Sequence, residues 1–198
     1  MSRCLPSRRK FLLGAISVGG ALSSISPTKS ANFDLPPVLS NGRHQFEVLV
    51  PSRQLPSISL PSSDGKMTSL DGQRGATLLV NFWATWCAAC RSELPMLAKA
   101  QSAMGDLLSV VTVSTDEGNP ARVTTYLRSL GALGLKTVID DRGQLSKESA
   151  DQPPVFPLYG IPVTYLVTRS RRIAGVISGA TDWLTPEAQR LLAYYAAV

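Results

Sequence analysis

The fold of this chain is decided by Leu78-Leu79-Val80-Asn81-Phe82-Trp83-Ala84-Thr85-Trp86-Cys87-Ala88-Ala89-Cys90. An apolar run, typical of a strand buried on both faces, leads into a Cys-x-x-Cys pair, and a helical pattern follows it. This placement puts Cys87 at a helix N-terminus, where unpaired backbone N–H groups and the helix dipole favour the thiolate, the reactive form of cysteine. Cys90 lies three residues on, close enough to close a small disulfide ring.

Half of a zinc site is the alternative for this cysteine pair. A structural zinc ion needs four ligands, so a second cluster of Cys or His would be expected. Outside the motif, the sequence contains only Cys4 and His44 as further residues of these types. The composition therefore favours a redox pair over a metal site.

Strands and helices alternate on both sides of the motif. Two alternating segments around the turn Asp64-Gly65 predict a β-hairpin ahead of the core. The other predicted elements are a helix from Cys87 to Met104, a strand at 108–113, a helix at 119–130, a strand at 136–139, a short helix at 144–150, strands at 163–167 and 173–177, and a final helix that begins at Thr185. This order predicts an α/β sandwich whose sheet is parallel near the first strands and antiparallel at the end.

The formal net charge of +6 belongs to the N-terminal leader. Five basic residues precede the first acidic residue, Asp34, and the rest of the chain carries 15 Lys and Arg against 14 Asp and Glu. The basicity therefore indicates no nucleic-acid partner. Within the leader, Arg8-Arg9 is followed by an apolar, glycine-containing stretch from Phe11 to Ile25, which is typical of an export signal.

Residues 1–31 resemble the twin-arginine signal peptide of bacteria, which predicts a periplasmic protein. Their apolar stretch has 15 residues, and a bilayer span needs about 20, although an uncleaved inner-membrane anchor is the alternative. Cys4 leaves with a cleaved signal, so the exported protein keeps two cysteines in a compartment where a disulfide persists. We expect a linker or irregular arm at 32–52 and the folded domain at 53–198.

The segment from Phe82 to Pro95 resembles the active-site segment of exported thioredoxin-like proteins of the TlpA/ResA family. Asp64 to Gly75 is similar to the hairpin that those proteins carry ahead of the core, and Tyr159 to Thr164 is similar to their cis-proline loop. Gly179 with Asp182-Trp183 is similar to the end of their last strand. The resemblance implies a thioredoxin fold, a mixed sheet flanked by helices with an N-terminal β-hairpin extension, and dithiol–disulfide exchange without a cofactor.

The resemblance also implies roles for individual residues. Cys87 would be the attacking, more exposed thiol and Cys90 the buried, resolving thiol. Pro162 would be a cis proline that offers backbone to a client strand. The other residues expected to bind the client are Trp86, Ile161 and Val163.

The chain differs from thioredoxin at one buried carboxylate. Thioredoxin has an Asp in the strand before the motif, where this chain has Asn81, whose amide cannot accept a proton at neutral pH. Glu93 stands where TlpA/ResA-like proteins have a glutamate, and it is either a proton relay to Cys90 or a solvated glutamate that stabilises the helix N-terminus. The segment 151–158 is longer than the usual connection before the cis proline. The two interpretations of this extra length are a partner-binding surface and a plain insertion.

The residues between the cysteines bear on the direction of electron flow. Ala88 and Ala89 add no charge to the helix terminus, which favours a mild, reducing couple. We expect a monomeric reductant of client-protein disulfides that takes electrons from a membrane thiol carrier, and the family's roles imply clients in cytochrome c maturation or metal-site assembly. An oxidase or isomerase is the second candidate, and a Cu(I)-binding assembly protein is the third. A peroxidase would have Thr in place of Ala84.

Replacing Arg8-Arg9 with Lys-Lys should block or strongly slow export, because the paired arginines are the address that the receptor reads. Fractionation of cells that express each form would measure this. Normal export of the Lys-Lys variant, together with failure of export when the general secretory channel is inhibited, would contradict the twin-arginine assignment.

Overall fold

The computed structural model describes residues 35–70, 75–148 and 153–198. Leu35–Val198 forms one compact unit. The predicted signal peptide, with Cys4, lies outside the described residues.

Eight strands and three α-helices make up this part of the chain. In order they are β1 Glu47–Gln54, β2 Ser59–Pro61, β3 Met67–Ser69, β4 Thr77–Trp83, α1 Ala88–Met104, β5 Leu108–Ser114, α2 Pro120–Ser129, β6 Lys136–Ile139, β7 Val163–Val167, β8 Arg172–Ser178 and α3 Pro186–Ala197. None of these helices is long and apolar enough to cross a membrane.

Six of the strands form one mixed sheet in the order β1-β8-β7-β4-β5-β6. Strands β4, β5 and β6 run parallel, whereas β7, β8 and β1 pair antiparallel. Strands β2 and β3 form the predicted hairpin, which joins β6 through a bridge from Ser62 to Val138. The arrangement confirms the predicted thioredoxin-like fold with its hairpin extension.

The core lies on both faces of the sheet because side chains alternate along β4. Leu79 and Trp83 belong to a cluster with buried residues of the three helices, such as Leu94 and Leu191. The opposite face of β4 packs with the hairpin and with Phe156. Because all seven residues of β4 are buried, the strand is a rigid base for the cysteine motif that follows it.

The linker or irregular arm predicted at 32–52 differs from the structure, because β1 begins at Glu47 and pairs with β8. The register of this pairing shifts between Val48 and Arg53, and Pro51 lies inside the shift. Proline cannot donate to a ladder and is found at strand edges and irregularities. The shift breaks the alternation on which strand prediction depends, so the sequence pattern did not reveal β1.

The short helix predicted at 144–150 is absent from its described part, 144–148, which forms turns. The Asp140 carboxylate accepts hydrogen bonds from the backbone N–H groups of Gln144 (2.6 Å) and Leu145 (3.1 Å). A side chain that bonds nearby backbone in this way competes with helix formation. The helix starts predicted at Asn119 and Thr185 are confirmed, since both side chains cap their helices.

Gly175→Ala should loosen the attachment of β1. A Cβ atom at Gly175 would collide with the ring of Phe46 and lie 2.7 Å from the backbone oxygen of Glu47. We expect the free energy of unfolding to fall by about 1–3 kcal/mol, the usual range for overpacking. Gly134→Ala is the control, because a Cβ there meets nothing within 4 Å. Urea unfolding that gave equal stabilities for the two variants would contradict this account of the β1 docking.

Candidate functional site

The two cysteines lie at the start of α1. Cys87 is the N-cap residue, and its Sγ accepts a hydrogen bond from the backbone N–H of Cys90 at 3.2 Å. The two thiols form a disulfide with their Cα atoms 5.4 Å apart, as predicted. Cys87 is 7% exposed and Cys90 is 1% exposed, so Cys87 is the more accessible sulfur.

Asp116, two residues after the end of β5, holds the turn that leads into the motif. Its carboxylate accepts hydrogen bonds from the backbone N–H of Thr85 at 2.8 Å and from the Thr85 hydroxyl at 2.6 Å. The turn leaves the side chain of Trp86 68% exposed, directly before Cys87. Trp86 is therefore available to a partner, whereas Trp83 is fully buried in the core.

The loop before β7 contains the predicted cis peptide bond, between Ile161 and Pro162. The carbonyl of Pro162 accepts a hydrogen bond from Gly179 N–H at 2.8 Å, which ties the loop to the end of β8. Val163 is only 4% exposed and pairs with Phe82. Its side chain therefore points into the core, and Ile161 is the residue of this loop that stays half-buried at the surface.

A cleft of about 460 Å³ lies beside the motif, between Trp86 and Ile161. Glu117, Asp141 and Lys147 are charged residues on its wall, and Leu158 supplies an apolar part of the lining. The structure thus brings two of the predicted client-binding residues, Trp86 and Ile161, to one depression.

The longer segment before the cis-proline loop is held down by Phe156. This fully buried ring packs against Phe82 and Tyr165, with ring centroids 5.4 and 4.8 Å away. Arg53 of β1 donates to the carbonyls of residues 154 and 155 at 3.3 and 3.1 Å. The described part of the segment is therefore anchored, while Tyr159 beyond it is 98% exposed.

Glu93 is buried under α1, with 1% of its surface exposed, so the solvated alternative is wrong. Its Oε1 accepts from Trp183 Nε1 (3.0 Å), from the backbone N–H of Thr181 (3.2 Å) and from Thr164 Oγ1 (3.5 Å). Its Oε2 accepts from Asn81 Nδ2 (3.1 Å). Four neutral donors from three other parts of the fold therefore surround one carboxyl group.

Burial raises the pKa of Glu93 to about 7, because desolvation disfavours the charged carboxylate. The hydrogen bonds from Trp183, Thr181, Asn81 and Thr164 act in the opposite direction and lower the pKa. A carboxyl that titrates near neutral pH can take up and return a proton under physiological conditions. Glu93 and Cys90 are three residues apart on α1, which places them on the same side of the helix.

Trp183, Thr164 and Thr181 are functional candidates that sequence reasoning missed. They are the donors that hold Glu93, and they lie 71 to 90 residues from it in sequence. One signal was present, because a buried tryptophan usually finds a partner for its indole N–H. The sequence around Trp183 does not indicate that Glu93 is that partner.

Within residues 35–70, 75–148 and 153–198, no group of three or more His, Cys, Asp and Glu side chains could hold a metal ion. The two cysteine sulfurs are the soft donors at the site, and as thiolates they are the ligand type that suits Cu(I).

The model of the AhpC/TSA family matches residues 51–175. The chain is 29% identical over 127 residues to the thiol-disulfide oxidoreductase ResA of Bacillus subtilis, covering 63% of this chain and 65% of ResA. It is 30% identical over 148 residues to the thiol:disulfide interchange protein DsbE of Pseudomonas aeruginosa, covering 72% of this chain and 74% of DsbE.

Two further comparisons bear on fold and length. A crystal structure of a thiol:disulfide interchange protein of the thioredoxin family from Chlorobium tepidum has a TM-score of 0.59 and 23% identity, covering 73% of this chain and 97% of that one, and it shares the fold. The thioredoxin-like protein YneN of Bacillus subtilis is 44% identical over 62 residues, 31% of this chain and 36% of YneN. The chain therefore matches less than two thirds of the length of both YneN and ResA.

Glu93→Gln should remove a pH dependence of stability. The pKa is about 7 in the folded protein and near 4.5 in an unfolded chain, so the folded state binds more protons between these values. The wild-type free energy of unfolding should therefore fall as pH rises from about 4.5 through 7, by up to about 3 kcal/mol. The variant should lack this fall.

Urea unfolding of the oxidised protein across this pH range measures the effect. Glu47→Gln, the same change at an exposed position, is the control and should keep the wild-type dependence. An unchanged pH dependence in Glu93→Gln would show that Glu93 does not bind the proton.

Proposed function

The chain belongs to the AhpC/TSA family of thioredoxin-like proteins, and from this premise we propose that it is a periplasmic thiol–disulfide oxidoreductase that reduces disulfides of client proteins. One observation carries the proposal: Cys87 of the Cys87–Cys90 disulfide caps α1 and is more exposed than Cys90, and Glu93, about one turn further along the same helix, has a pKa of about 7. The names of the relatives ResA and DsbE describe the same class of reaction.

The reaction begins from the reduced pair. The Cys87 thiolate attacks one sulfur of the client disulfide, that S–S bond breaks, a mixed disulfide forms, and the other client sulfur leaves as a thiolate. The helix N-terminus stabilises the Cys87 thiolate through its dipole and through the N–H of Cys90 that points at Cys87 Sγ. Cys87 is the attacking group because it is the more exposed of the two sulfurs.

Cys90 completes the transfer. It gives its proton to the ionised Glu93 and attacks Cys87 Sγ, which breaks the mixed disulfide and releases the second client thiolate. Two electrons have then passed to the client, the Cys87–Cys90 disulfide remains, and Glu93 holds the proton until it is returned to solvent or to a client thiolate. A pKa near the working pH suits Glu93 to both halves of this exchange.

The client segment would lie across the cleft beside Cys87. Trp86 offers an exposed aromatic surface on one side, and Ile161 and Leu158 offer apolar contacts on the other. An extended client could also pair with the backbone before Pro162, as peptides do at an exposed strand end. We assign the client contacts to Trp86 and Ile161 and, because it is buried, remove the Val163 side chain from the predicted set.

The reducing direction is favoured by the absence of a charged or ring donor between the cysteines, where Ala88 and Ala89 are exposed methyl side chains. Such a couple needs a dithiol donor, for which we propose a membrane thiol carrier. The clients we propose are apocytochrome c or metal-site assembly proteins. The buried methyl side chain at Ala84 offers no hydroxyl to a peroxide, which argues against peroxidase activity.

The test is the equilibrium redox potential of the pair against glutathione. We expect a value nearer to the roughly −270 mV of thioredoxin than to the roughly −120 mV of DsbA. A value near that of DsbA would favour the oxidase alternative, and tight Cu(I) binding by the reduced protein would favour the copper-carrying alternative.

A trapping experiment identifies the attacking cysteine and its clients. Cys90→Ala should accumulate mixed disulfides with client proteins in cells, because the resolving thiol is missing. Cys87→Ala is the matched control and should accumulate none, since Cys90 is 1% exposed. Mixed disulfides on Cys90 in the control would reverse the assigned roles.

A further inference from the structure

The two oxygens of Glu93 differ in what surrounds them. Oε1 faces the indole N–H of Trp183 at 3.0 Å and the backbone N–H of Thr181 at 3.2 Å, and both groups can only donate. Its third neighbour, the Thr164 hydroxyl, can also accept but lies at the longer distance of 3.5 Å. Oε2 faces a single group among the described residues, the side-chain amide of Asn81. A protonated Glu93 therefore carries its proton more favourably on Oε2.

In the disulfide form, only the nitrogen of the Asn81 side-chain amide makes hydrogen bonds to described residues. Its Nδ2 donates to Glu93 Oε2 at 3.1 Å and to Thr164 Oγ1 at 2.9 Å. Its Oδ1 is buried and has no hydrogen-bond partner among the described residues. Buried polar atoms without a partner are rare and call for a physical reason.

The hydrogen bond from Asn81 Nδ2 to Oε2 suits an ionised Glu93 and does not suit a protonated one. An ionised carboxylate needs donors, and Asn81 Nδ2 supplies one to Oε2. A protonated Oε2 needs an acceptor instead, yet the same Nδ2 would face it with a hydrogen. Half a turn about the last torsion of Asn81 exchanges the two ends of the amide, because nitrogen and oxygen occupy nearly equivalent positions.

We propose that Asn81 is a positioning residue whose side-chain amide turns over each time Glu93 gains or loses a proton. In the turned state the Oε2–H of Glu93 donates to Asn81 Oδ1, and the Thr164 hydroxyl, which accepts from the amide before the turn, donates to the same oxygen. When the proton leaves, the amide returns and Nδ2 again holds Oε2. Cys90 as the source of the proton rests on the proposed function, whereas the turn depends only on the protonation of Glu93.

The residue type at position 81 follows from this role. Aspartate would add a second carboxylate that competes for the same proton and cannot donate to an ionised Glu93. Leucine would fill the space but offer neither a donor nor an acceptor. Asparagine alone among residues of this shape provides both without adding a charge.

Among the described residues, the groups that donate hydrogen bonds to the Glu93 carboxyl carry no charge. The groups that β4, β7 and the turn after β8 direct at its carboxyl are Asn81, Thr164, Thr181 and Trp183, all neutral. Cys90 on α1 is held in the disulfide, and the carboxylate of Asp182 accepts a hydrogen bond from the N–H of Leu184. Glu93 is therefore the group whose titration Asn81 would follow.

The experiment is an NMR titration of the purified protein with the disulfide intact. We expect the side-chain NH₂ resonances of Asn81 to move between two limiting positions with the same midpoint as the carboxyl carbon of Glu93. Asn119 is the internal control, because its side chain caps α2 through Ala121 N–H and should not move at that midpoint. In Glu93→Gln the Asn81 resonances should lose the transition.

Asn81→Leu supplies a second measurement. Removing the donor to Oε2 should shift the Glu93 midpoint upward, since the ionised form loses a hydrogen bond. If this variant does not fold, the wild-type titration decides the question without it. Asn81 resonances that stay constant across about pH 5 to 9, the range in which these groups titrate, would overturn the proposal and leave the proposed function standing. A moving Asn81 in a protein that exchanges no disulfides would overturn the proposed function alone.

Discussion

The burial of one carboxyl group, that of Glu93, sets the conditions for the rest of the site. Removing a carboxylate from water is costly unless donors replace the lost hydration. The fold supplies those donors from β4, from β7 and from the turn after β8, so three separate parts of the chain meet at α1. The same contacts that make burial tolerable also hold the helix that carries Cys87 and Cys90. Stability and proton chemistry therefore depend on the same set of hydrogen bonds.

Much of the fold follows from local sequence patterns. The apolar run before Trp86, the cysteine pair, the capping residues Asn119 and Thr185, and the hairpin turn at Asp64-Gly65 each carry a local physical signal, and each lies where that signal predicted. Strand β1 carries no such signal, because Pro51 and the shifted register hide its alternation. The turn after Asp140 was mistaken for a helix because its decisive bonds come from a side chain and not from backbone periodicity.

The same distinction between features with and without a local sequence signal applies to the candidate site. The position of the cysteine pair at the start of a helix was predictable because it depends on neighbours within a few residues, and the family resemblance implied that Trp86 lies beside the pair. The surroundings of Glu93 were not predictable, because Trp183 lies 90 residues away and Thr164 lies 71 residues away in sequence. A single sequence gives no measure of distance between such residues. Sequence reasoning therefore left two alternatives for Glu93, and its burial excludes the solvated one.

The anchoring of the segment at 153–156 has a consequence for how this scaffold could be altered. Phe156 fills a slot beneath the sheet, and Arg53 fixes the neighbouring carbonyls, so the backbone that reaches Tyr159 starts from a fixed point. Between that anchor and Pro162, Leu158 and Ile161 pack against the core, whereas Tyr159 is almost fully exposed. Substitutions at Tyr159 would therefore change the exposed surface of this loop while the disulfide and Glu93 remained in place. In this sense the disulfide and Glu93 form a fixed site, and the surface of the loop can be changed independently of them.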